Sequence, residues 1–127
     1  MKKVFVGRYM MNNGLALLWL DPNEVSSQFW HCNDPKEGPV LKIEVGTCGK
    51  SWAQVVMAML HEFVEASAVR ERCHFNPSRQ YMCPTDSYLM VMTHPQFTQV
   101  INEAGDALAF ALPDMEKAWK KMKRKRK

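Results

Sequence analysis

The chain has 127 residues, enough for one domain with a substantial core and too few for two. Apolar residues make up 46% and charged residues 24%, near the averages of folded soluble domains, which argues against a disordered chain or a membrane-embedded one. The net charge of +4 is unevenly divided: residues 117–127 carry eight of the 17 basic residues and no acid, leaving nine basic against 13 acidic residues in 1–116.

From the N-terminus, "KKVFVGRYMM" and "GLALLWL" are β-compatible runs separated by Asn12-Asn13-Gly14, whose backbone preferences suit a hairpin turn. Arg8 and the two asparagines interrupt the opening apolar run and "GLALLWL" is too short to span a bilayer, so neither an export signal nor a membrane partner is expected. The expected setting is the cytoplasm, with its thiols reduced. Asp21-Pro22 and Asp34-Pro35 mark "DPNEVSSQFWHCNDPKEGP" as a loop, with a short helical turn over 23–29. "VLKIEV" reads as a strand closed by Gly46 and Gly49.

The best-defined helix follows. Ser51 is an N-cap residue, and Trp52, Val55, Val56, Met59, Leu60, Phe63 and Val64 recur at spacings of three and four, forming a core stripe. His61 and Glu65 fall on the opposite side, beside Gln54, Ala58, Ala68 and Arg72. After Cys73 the pattern breaks into an irregular connection, then an extended "YLMVM". Thr93 with Gln96 three positions on is a capping-box pair opening a second helix, with Phe97, Val100, Ile101, Ala104, Leu108, Ala111 and Leu112 as its buried face. Pro113 is expected to kink or restart that helix before it runs through Met115 and Trp119 into the basic tail. The tail is either a polyanion contact, weakly nucleic-acid binding, or a solvated helix end.

The four cysteines form no C-x-x-C pair; His31-Cys32 and Cys73-His74 could supply a structural zinc site, set against the plainer reading of idle thiols. The chemistry concentrates in "HEFVE". Ligands four residues apart lie one helical turn above each other and reach one ion, so His61 and Glu65 have metal-ligand spacing. Glu62, directly after the first ligand, has the position of a general base acting on a metal-activated water. A His-plus-carboxylate set takes zinc and also harder divalent metals such as manganese or iron. The plain alternative is a solvated, salt-bridged helix face with Arg70 and Arg72 nearby.

"VVMAMLHEFVEA" resembles the "LLHE-x-x-H-A" helix of small phage- and prophage-encoded metallopeptidase-like proteins of the zincin type, with Glu65 standing where that motif has its second His. "YLMVMTHPQFTQV" and "ALPDMEKAW" are similar to segments of the same sets, and the resemblance covers roughly residues 40–120. It implies a zincin-like α+β fold, a metal held by His61 and Glu65, Glu62 as the base, and a peptide or protein substrate. For a third ligand, His94 is favoured because it opens a packed helix; His74 is second, followed by Glu71 and the loop residue Asp86. Glu71 has the third-ligand spacing of longer zinc motifs, but Ala68 replaces the glycine that would turn the chain.

The expectation is thus one zincin-like α+β domain over 1–116, with strands at 3–10, 14–20 and 40–45 packed on a 51–72 helix, a 94–112 helix alongside, and a basic tail at 117–127. Three functions compete: a metal-dependent hydrolase, a noncatalytic binding protein of the same architecture, and a nucleic-acid-associated protein using the tail.

Overall fold

The computed structural model describes residues 2–11, 14–75 and 89–125, with only the backbone described at 74, 75 and 89. Strands β1 (Val4–Met11) and β2 (Gly14–Asp21) form the expected antiparallel hairpin, with a register shift between Phe5 and Gly7. Strand β4 (Gly38–Gly46) pairs parallel with β2, and β3 (Gln28–Asp34) pairs antiparallel with the far side of β4. The four-stranded order is therefore β1-β2-β4-β3, with β3 at the edge. The architecture is α+β, a four-stranded sheet with two long helices.

Strand β3 corrects the reading of residues 21–39 as loop. None of its residues is fully buried, because an edge strand is covered on few sides, and Phe29 and Trp30 are both half-buried, which leaves little hydrophobic periodicity to detect. The turn into β4 is locally built: Asp34 Oδ1 accepts the backbone N–H groups of Lys36 at 2.9 Å and Glu37 at 3.1 Å, and Gly38 follows at φ 77°.

Helix α1 (Trp52–Arg70) begins with a complete capping box: the Ser51 hydroxyl accepts from Gln54 N–H, and the Gln54 amide oxygen accepts from Ser51 N–H at 2.8 Å. Val55, Met59, Phe63 and Ala66 enter the core beside Ala16, Leu18, Leu20, Ile43 and Val45 of the sheet. The buried side is rotated from the expected stripe. Val56, Leu60 and Val64 are only partly covered, whereas Glu62, Ser67 and Ala68 are buried. Ala68, assigned from sequence to the polar side, is fully enclosed with Cys73 and Val100. Ser67 and Ala68 are covered by the second helix, α2 (His94–Lys125): Ala68 packs with Val100, and the Ser67 hydroxyl hydrogen-bonds the Glu103 carboxylate.

Helix α2 (His94–Lys125) is continuous through Pro113 and carries the basic segment to Lys125 as its last turns. It opens on the expected Thr93–Gln96 capping box. Its buried face is Val100, Ala104, Ala107, Ala111, Met115, Ala118 and Met122, spaced by three and four throughout. Phe97 and Ile101, expected in the core, are exposed. No described helix is long and apolar enough to cross a membrane.

Candidate functional site

The chain leaves α1 through a tight reversal. Cys73 N–H donates to Ala68 O at 2.8 Å and Arg72 N–H to Val69 O at 3.1 Å, the paired bonds of a Schellman ending, with Arg72 at φ 58° where glycine is usual. The reversal leads into a short ladder in which β5 (His74–Phe75) pairs with β6 (Leu89–Met90), His74 opposite Met90. Val91 N–H donates to Cys73 O at 2.8 Å. Met90 is thereby brought to the outer side of α1.

There it joins a groove of about 680 Å³ between α1 and the approach to β3. His61, Glu62 and Glu65 line it from α1, Lys50 from the preceding turn, and Ser26 and Ser27 from the opposite wall. That wall comes close because Gly46 has no side chain: a Cβ there would stand 2.4 Å from Ser26 O and 2.6 Å from Glu24 O. Lys50 is held by its own Nζ donating to Gly46 O at 2.7 Å.

His61 is the exposed member, with 64% of its side chain open, and its Nε2 lies 2.7 Å from Glu65 Oε1. Glu62 is 5% exposed. Burial pushes its carboxyl up to about 7, and the nearby Glu65 adds to the shift against the opposing pull of His61 and Lys50. Sequence reasoning assigned Glu62 its role from position alone. Its burial depends on the packing of α1 and has no signature in a helical wheel.

The donor set admits a metal in part. Two zinc ligands at about 2.0–2.2 Å stand roughly 3.3–3.6 Å apart around a tetrahedral ion, so His61 and Glu65, whose Nε2 and Oε1 lie 2.7 Å apart, share an ion once their tips separate by somewhat under about 1 Å. Among the described residues no three His, Cys, Asp or Glu side chains gather in a metal-holding group. His94 is exposed in the first turn of α2 and does not line the groove. The adjoining Gln96 side chain donates to Glu71 O, at the far end of α1, ten residues or about 15 Å along the axis from His61. Glu71 itself caps α1 there. His74 differs, since its backbone pairs with Met90, a residue of the groove wall. Asp86 lies outside the described residues.

The two mixed Cys/His pairs stay separate among the described side chains. Cys73 is buried with Ala68 and Val100, and His31 and Cys32 lie on β3 beside a different cavity. Cys32, Cys48 and Cys73 are free thiols. Fold and groove together define an α+β protein with a carboxylate-rich cleft between its central helix and its sheet edge. No protein family, curated protein or solved structure matches the chain.

Proposed function

We propose that the protein is a metal-dependent hydrolase of metallopeptidase type, with Glu62 as its general base. The observation that carries this reading is the convergence of a buried carboxyl, Glu62, and a His–carboxylate pair, His61 and Glu65, on one groove. Zinc or another divalent ion held by His61 and Glu65, with His74 as the third donor, would acidify a water and polarise a substrate carbonyl. No hydrogen bond among the described residues holds the Glu62 carboxyl, so its oxygens are free to take a proton from a nucleophilic water and return it to the leaving group. Lys50 contributes positive charge in the same groove, where oxyanionic charge would develop. Ser26 and Ser27 form the facing wall against which an extended substrate would lie.

The test is metal content and thermal melting, with and without zinc, for the parent and single variants. Parent, Glu62→Gln and His94→Ala should each take up about one equivalent and melt higher with zinc. His61→Ala, Glu65→Ala and His74→Ala should not. Cleavage of an unstructured protein substrate should fall by about 10²–10⁴-fold in Glu62→Gln at unchanged metal content. If all variants respond to zinc as the parent does, "HEFVE" is a plain helix face.

A second reading is favoured by the end of α2, where Lys117, Lys120, Lys121, Lys123, Arg124 and Lys125 are all exposed and, among the described residues, only Lys120 has an ion-pair partner, Glu116 at 3.0 Å. A helical cation cluster suits phosphate neutralisation on nucleic acid. Heparin retention that disappears on removal of 120–127 would support it, and unchanged retention would exclude it.

A further inference from the structure

A second cavity, of about 540 Å³, lies at the opposite end of α1, between its last turns and the end of the sheet. It falls within the roughly 300–1,000 Å³ of small-molecule sites. Met11, Leu41 and Ala66 give it apolar walls, and His31 and Arg70 stand at its edge. The two cavities differ in charge. The groove at His61 contains two glutamates, whereas no carboxylate is among the described residues lining this one. None of the ion pairs among the described residues involves Arg70. An uncompensated guanidinium beside an apolar hollow selects a ligand with the converse pattern, an apolar body ending in one anionic group.

We propose that this cavity binds an amphipathic monocarboxylate of the medium-chain fatty-acid class, its chain against Met11, Leu41 and Ala66 and its carboxylate on Arg70. Arg matches a carboxylate with two parallel N–H donors, and an exposed Arg in the last helical turn is free to adjust to it. His31, on the facing strand, offers a further ring N–H to the same anionic end. A cationic amphiphile meets a guanidinium with no ion-pair partner among the described residues, and a neutral one leaves it unused. Glu62, Ala66 and Arg70 are spaced four apart, so the cavity and the groove open along one face of α1, about 12 Å between Glu62 and Arg70 along the axis.

The experiment is an amide-resolved NMR titration of the full chain with decanoate, and with decan-1-ol as the neutral comparator. Decanoate should saturate and shift the amides of Leu41, Ala66 and Arg70 ahead of those of His61 and Glu65. Arg70→Gln should weaken decanoate by about tenfold, the value of one charge-assisted contact, and leave decanol unchanged, while Arg70→Lys, which keeps the charge and loses the paired donors, should fall between Gln and the parent. Arg70 is exposed, so these variants fold, and matching amide spectra without ligand would verify it. Equal affinity for decanol and decanoate, unaltered decanoate binding in Arg70→Gln, shifts centred on His61, or absence of saturation would each overturn the proposal.

Discussion

At the scale of single residues, three consecutive positions on α1 have three different fates. His61 is open, Glu62 is buried at the groove and Phe63 is 1% exposed in the core. Phe63→Ala should therefore cost about 3–5 kcal/mol in a denaturant melt, while His61→Ala in metal-free protein should cost little. The contrast was legible in the sequence, because 3.6-residue periodicity alone separates positions 61 and 63 by half a turn. Glu62 was not so legible, and it gives the molecule a pH dependence. Its carboxyl is raised from 4.5 to about 7 in the folded chain, so between those values the folded state keeps a proton that the unfolded state has lost. Stability contributed by the protonated form is present below about pH 4.5 and is lost as pH rises through 7. Metal-free Glu62→Gln should flatten that slope and exceed the parent's stability at pH 8 by on the order of 1–2 kcal/mol, as read from urea melts at pH 5 and pH 8. A parent more stable at pH 8 than its Gln variant would reverse this account.

At the scale of elements, the helix starts were readable and the helix end was not. Ser51 as an N-cap and Thr93 with Gln96 as a capping box are local signals, complete within four residues, and both form, with Gln54 completing a box at Ser51 that was not expected. The end of α1 has no glycine, only Arg72 held in the left-handed region by its two reversal bonds. A side chain there costs roughly 1–2 kcal/mol, so Arg72→Gly should raise stability by about 0.5–1 kcal/mol once the greater freedom of unfolded glycine is subtracted. Chemical denaturation of the two proteins checks this; a destabilised glycine variant would mean that the Arg72 side chain contributes more than its backbone costs. The reversal also sets the ladder that pairs the backbone of His74 with Met90, a residue of the groove wall. Sequence favoured His94 because a helix start is a rigid platform. The start of α2 is anchored by Gln96 to Glu71 O, at the far end of α1 from His61.

At the scale of the whole molecule, α2 closes the structure. Its last turns are basic outside and apolar inside: Ala118 and Met122 are in the core, Trp119 packs on Trp52 with ring centroids 6.0 Å apart, and Lys123 Nζ stands 4.3 Å from the Trp119 ring centroid. The boundary read at residue 116 divides charge, not packing. A chain ending at Glu116 should lose the contacts of Ala118, Trp119 and Met122 and melt markedly lower, and Met122→Ala alone should cost about 2–4 kcal/mol. Lys121→Ala, on the exposed side, should leave the melting temperature within error. Equal melting of the parent and the 1–116 chain would make the segment a separable tail.

The sequence by itself determined the hairpin, the strand over 40–45, both helix starts and the exposure of His61 relative to Phe63, because each rests on turn chemistry, capping or periodicity within a few residues. Only the tertiary structure decided that β4 lies between β2 and β3, that α2 buries Ala68 and Ser67, and that Glu62 is enclosed beside the His61–Glu65 pair. Those outcomes depend on contacts between residues far apart in the chain. A helical wheel states which residues share a face; the number of neighbours that cover a helix, and from which directions, decides which faces are buried.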